Sequence, residues 1–174
     1  MMKLKLKKIS LCGLFSALAL VSFIIEGLFT PLIIPGAKIG ISNIFILLST
    51  ICLGWAYGYA TLLIKVILGS LFAGNISAIL YSLPAGIISL TLQIFCLYFI
   101  KKASITCTSI IGAVIHITIQ NVLFCLYTLT TEYLVYLPYL ALIGIIGGAI
   151  TGFSVYLAIK RLPEKYMNIN STNY

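Results

Sequence analysis

Lys65 and His116 lie inside apolar stretches long enough to cross a bilayer. A lysine at the centre of a membrane helix costs roughly 2.5–3.5 kcal/mol on insertion scales, so it normally faces a protein interior or a wet cavity and has a task there. An ammonium and an imidazole in such a place can bind an anionic or polar small molecule. His116 and Gln120 are spaced i, i+4 and share one helix face. Glu26, Asn43, Asn75, Tyr81 and Asn121 add further donors and acceptors in otherwise apolar surroundings. Each also has a plainer reading. Lys65 could snorkel or pair with Glu26 for structure alone, and His116 could be a neutral core histidine. Glu26 could sit at a helix end in water, and Asn75 could simply form a turn.

The remaining chemistry is narrow. The chain has no Asp, and its only Glu residues are Glu26, Glu132 and Glu164. Two-metal catalysis and paired-carboxylate mechanisms need clustered carboxylates, which this sequence does not supply. No glycine-rich phosphate loop ending in Lys-Ser or Lys-Thr is present, so the chain is not expected to hydrolyse ATP. Cys12, Cys52, Cys96, Cys107 and Cys125 are scattered without a C-x-x-C pair, and one His cannot complete a zinc site. They read as small lipid- or core-facing residues. No catalytic residue, metal site or cofactor is expected, and the chain is not expected to be an enzyme.

The elements that must position these residues are membrane helices. The 174 residues are 61% hydrophobic and 8% charged, with a mean hydropathy of +1.17. A spanning helix needs about 20 apolar residues. The chain therefore has room for about six, as a single membrane domain over 9–161, between a basic arm at 1–8 and a polar tail at 162–174. The spans read as Ile9–Phe29, a shorter Ile41–Leu53, Trp55–Phe72, Ile76–Ile100, Ser104–Tyr127 and Pro138–Ile159. The start imitates a signal peptide, with Ala17-Leu18-Ala19 resembling a cleavage site, but hydrophobicity continues beyond it and predicts an uncleaved helix. Thr30–Gly40 and Leu129–Leu137 read as loops, and Ala73-Gly74-Asn75 as a turn.

Orientation follows from the basic residues. With the N-terminus inside, Lys3, Lys5, Lys7, Lys8, Lys101, Lys102, Lys160, Arg161 and Lys165 are all cytoplasmic, and only Lys38 is outside. Both termini are then cytoplasmic in a multi-pass cell-membrane protein. The net charge of +8 reads as membrane anchoring by these end clusters, and no nucleic-acid partner is expected. Glu26, Asn43, Asn75, Tyr81, Gln120 and Asn121 then fall in the outer half, with Lys65 and His116 near the middle. The inner leaflet has no comparable set. This is the pattern of a pocket open to the outside rather than of a continuous pore. Gly13 and Ala17 on the first helix, and Gly144, Gly148 and Gly152 on the sixth, have the spacing that lets membrane helices approach closely, either within the chain or against a partner.

The stretch Ile34-Pro35-Gly36-Ala37-Lys38-Ile39-Gly40-Ile41-Ser42-Asn43-Ile44 resembles the signature of the Gx transporter family, often labelled heptaprenyl diphosphate synthase component I. Glu26 precedes it at a matching distance. Lys65–Gly74, Tyr81-Ser82-Leu83, and Gly112–His116 followed by Gln120 resemble three further blocks, and the resemblance covers most of residues 10–162. Lys65 stands where the second block usually has Arg, which keeps the charge and loses the planar bidentate grip. The family is similar to the substrate-binding S components of energy-coupling-factor (ECF) transporters. The resemblance implies an all-α, six-helix bundle that captures a micronutrient-like molecule at the outer face. It also implies two kinds of partner, a transmembrane coupling subunit and cytoplasmic ATPases. The implied substrate residues are Glu26, Lys38, Asn43, Lys65, Asn75, Tyr81, His116, Gln120 and Asn121, and the implied partner-facing residues are Gly13 and Ala17. The alternative is a non-catalytic membrane partner of a prenyl-lipid, quinone or redox enzyme system.

Overall fold

In the computed structural model, residues 2–29, 40–100 and 103–162 are described. They form six α-helices: α1 (Met2–Phe29), α2 (Ser42–Leu53), α3 (Trp55–Phe72), α4 (Ala78–Phe99), α5 (Ile105–Thr128) and α6 (Leu137–Arg161). A short 3-10 helix, Glu132–Tyr136, lies between α5 and α6. Five of these segments are long and apolar enough to cross a membrane. The sixth expected crossing, α2, has only 12 residues. The expected loop at 30–39, Lys101, Lys102 and the tail from 163 lie outside the described residues.

Several boundaries follow directly from local chemistry. Gly54 is both the last cap of α2 and the first of α3, at φ +115°. An L side chain is strained there, so only glycine makes this single-residue corner comfortably. Pro84 sits inside α4, which continues through it, as membrane helices tolerate when neighbours support the backbone. The basic arm has a helical backbone over its described residues, and Met2–Lys8 is continuous with α1, because lysine is a good helix former and nothing in Met2–Ile9 breaks the pattern.

The short helix is the centre of the bundle. Leu47, Leu48 and Ile51 of α2 pack with Leu97, Ile105, Val155 and Ile159 from α4, α5 and α6. Ile46 packs with Leu62, Val66 and Leu90 from α3 and α4. Around it, α1 borders α3, α3 borders α4, α4 borders α5, and α5 borders α6. The α5–α6 seam is the most extensive, and glycine explains it. A Cβ on Gly148 would lie 2.7 Å from the Ile110 Cα, and one on Gly152 would lie 2.6 Å from the Thr106 Cα. The glycine series of α6 is therefore used within the chain. Gly13 of α1 has nothing within 4 Å of its Cβ position, and both it and Ala17 are exposed.

Candidate functional site

Gly40 is the hinge on which the site is built. It adopts φ +87°, and an added Cβ would meet the Asn43 Nδ2 at 3.1 Å. This backbone turns the amides of Gly40 and Ile41 toward Glu26 Oε1, which accepts from both. The Gly40 carbonyl faces the other way and accepts from the Asn43 amide at 2.9 Å and from Thr151 Oγ1 of α6 at 3.3 Å. Glu26 is only 6% exposed. Its carboxylate lies at the N-terminus of α2, where free amides and the helix dipole favour negative charge.

Lys65 is the second buried charge, also 6% exposed. Its Nζ donates to Asn43 Oδ1 at 3.2 Å and lies 5.2 Å from the centroid of the Phe23 ring, within cation–π range. Phe23 and Glu26 are three residues apart on one face of α1. That face thus carries a ring for the ammonium and a carboxylate for the tip of α2. Asn43 joins the two, its backbone bound to Gly40 and its side chain to Lys65.

The opposite wall is aromatic. Tyr81 meets Phe124 edge to face at 5.3 Å, and Phe124 meets Tyr133 in the same manner at 5.1 Å. Asn75 holds the entry to α4, its Oδ1 accepting from Ser77 Oγ at 2.7 Å and from the Ala78 amide at 3.3 Å. The turn-forming reading of Asn75 is therefore correct, and it does not remove Asn75 from the site.

Between these walls lies a cavity of about 600 Å³. Glu26, Asn43, Lys65, Asn75, Tyr81, His116, Gln120 and Asn121 all line it. Lys38 lies outside the described residues. The cavity occupies the bundle end formed by the C-terminal parts of α1, α3 and α5 and the N-terminal parts of α2, α4 and α6, opposite the start of α1 and the end of α6. Gly13 and Ala17 are far along α1 toward the other end. The cavity also takes in Phe23, Ser70, Tyr133 and Tyr136, which the sequence does not single out, and Gly144 of the α6 glycine series. Phe23 had one available signal, its three-residue spacing from Glu26.

The half of the bundle away from the cavity has a smaller polar set, made of hydroxyls. Thr61 Oγ1 donates to Ser49 Oγ at 3.0 Å and accepts from Ser16 Oγ at 3.4 Å. Cys12 Sγ lies 3.7 Å from the same hydroxyl. Ser16, Ser49 and Thr61 are buried, and their network ties α1, α2 and α3 together. These hydroxyls satisfy one another, so they need no water-filled path.

Residues 15–157 match the protein family described as heptaprenyl diphosphate synthase component I. No curated protein and no solved structure matches the chain.

Proposed function

This chain belongs to the heptaprenyl diphosphate synthase component I family, and we propose that it is a substrate-binding membrane subunit of the ECF S-component type. Its cavity faces the outside, both termini are cytoplasmic, and it captures a small molecule for uptake. The observation that carries this reading is the cavity itself. At about 600 Å³ it lies within the usual range of about 300–1,000 Å³ for small-molecule sites. It combines a buried cation, a few convergent polar groups and an aromatic wall. Lys65, His116 and Lys38 would bind an anionic or strongly polar end of the ligand. Asn43, Asn75, Gln120 and Asn121 would supply hydrogen bonds. The Tyr81–Phe124–Tyr133 stack would cover a flat apolar body. Glu26 orders the tip of α2 and so holds Asn43 toward Lys65. The exposed Gly13–Ala17 face of α1 is the surface on which a transmembrane coupling subunit would pack, with the cytoplasmic ATPases beyond it.

The test is mass spectrometry of small molecules retained by the purified native complex, followed by variants. Lys65→Met removes one hydrogen bond from a charged group, worth about 1.5–3 kcal/mol. At 1.4 kcal/mol per tenfold change, the retained molecule should bind about 10- to 150-fold more weakly, with the protein still folded in detergent. Unchanged retention by both Lys65→Met and His116→Leu would sink the pocket assignment.

The family description supports a second reading, a membrane partner of a prenyl diphosphate synthase. In that case the chain would be non-catalytic, because magnesium-bound pyrophosphate is held by clustered Asp and the chain has none. The two readings differ in what co-purifies: ATPases and a coupling subunit for the first, a prenyltransferase for the second.

A further inference from the structure

A second cavity of about 30 Å³ adjoins the first. Asn43, Ala113 and His116 line both and so form the partition. Ser89, Gln93, Ser109 and Thr151 complete its polar lining. Its polar lining comes from α2, α4, α5 and α6, and Leu62 of α3 adds an apolar wall.

The hydrogen-bond pattern of this lining is incomplete in a specific way. Ser89 Oγ donates to the Gly112 carbonyl at 2.8 Å, and Thr151 Oγ1 donates to the Gly40 carbonyl. Their protons are committed, so what they offer the cavity is lone pairs. Ser109 is 2% exposed as a residue, and its hydroxyl has no hydrogen-bond partner among the described residues. The Gln93 amide also has none among them. Gln93 is held there by Gly112, where an added Cβ would lie 1.8 Å from its Nε2. Gln93 is half-buried, and polar groups that line a small cavity without protein partners mark sites of internal water.

We propose that this second cavity is a built site for one or two ordered waters. The volume fits, since a water needs about 10–15 Å³ of such space. The chemistry fits more narrowly. The occupant must donate to Ser89 and Thr151, while the Gln93 amide group and the Ser109 hydroxyl can each donate or accept. An anion without a proton cannot donate to the Ser89 and Thr151 lone pairs. Water can. The waters bridge α2, α4, α5 and α6 directly beneath the cavity floor, and they extend the hydrogen bonding of His116 and Asn43 away from the large cavity toward Gln93. The block Gly112-Ala113-Val114-Ile115-His116 then has a reason for its small residues. Gly112 seats Gln93, and Ala113 keeps the partition thin. This inference does not depend on what the large cavity binds.

The experiment is a structure of the full chain in lipid nanodiscs at a resolution that shows ordered solvent. One or two peaks within hydrogen-bond distance of Ser109 Oγ and the Gln93 amide are expected. A dry cavity, or a single peak ringed by oxygens at metal-ligand distances, would overturn the proposal. Thermal unfolding of Ser109→Ala gives a second readout. A hydrated site loses a partner and the unfolding midpoint falls, whereas a dry one sheds an orphan hydroxyl and the midpoint rises. A raised or unchanged midpoint counts against the waters.

Discussion

Replacing Gly40 by alanine tests whether one backbone conformation serves both the turn and the large cavity. Gly40 sits at φ +87°. The left-handed region costs an L-residue about 1–2 kcal/mol. Alanine also restricts the unfolded chain, which returns about 0.4–1 kcal/mol. The backbone effect alone is therefore a loss of about 1 kcal/mol by these figures. A second effect comes from the new Cβ, 3.1 Å from Asn43 Nδ2. The Asn43 amide must yield by a few tenths of an ångström, and its Oδ1 is the acceptor that holds Lys65 at 3.2 Å. Equilibrium unfolding of the purified chain in detergent, arranged as a cycle with Asn43→Ala, separates the two. With Asn43 already truncated, Gly40→Ala should show only the backbone loss. The coupling between the two changes should be at least about 0.5 kcal/mol, as expected of residues in contact. Co-purified small molecule should also be lost from Gly40→Ala alone. An additive cycle with full retention of the small molecule would refute the link between the Gly40 turn and the Lys65 floor.

Further substitutions separate fold from function. Gly148→Leu drives a side chain into the Ile110 backbone and should destabilise the α5–α6 seam by about 1–3 kcal/mol or more, seen as a lower unfolding midpoint. Gly13→Leu meets nothing within 4 Å, so the midpoint should hold while co-purification with a coupling subunit is lost. If the complex still assembles, the coupling face lies elsewhere. Phe124→Ala removes two edge-to-face ring pairs, each worth about 0.5–1.5 kcal/mol. An unchanged midpoint would mean that the stack contributes nothing.

How much of this was legible depends on how rare a residue is in its setting. Lys65, Glu26, His116, Gln120 and Asn121 stand out because a largely apolar chain has few places for them. The structure gathers all of them around one cavity. The α3 boundaries were readable for a related reason, since Gly54 and Ala73-Gly74-Asn75 punctuate both ends. Hydroxyl residues were not readable. Thr50, Thr91 and Thr118 each donate to the carbonyl four residues back on their own helix. A serine or threonine can therefore face lipid, core or cavity without a change in local sequence. That is why the Ser16–Thr61–Ser49 network and the Ser89, Ser109 and Thr151 lining escaped notice. Aromatics are equally silent. Phe72 is 69% exposed and Phe23 lies under an ammonium, yet both sit in runs of similar hydropathy.

The length of α2 explains why the site is where it is. Its 12 residues make a helix of about 18 Å at 1.5 Å per residue, well short of a hydrocarbon core of about 30 Å. Its neighbours are longer, so its N-terminus ends inside the bundle rather than at the rim. A buried helix tip presents unsatisfied amides and a positive dipole end. It needs an anion from a neighbouring helix, and Glu26 provides it through Gly40 and Ile41. The same tip points Asn43 across to Lys65. The cavity, its floor and both buried charges thus follow from one short helix ending early. Any change that lengthened α2 toward the rim would fill the cavity before it altered a single side chain on the opposite wall.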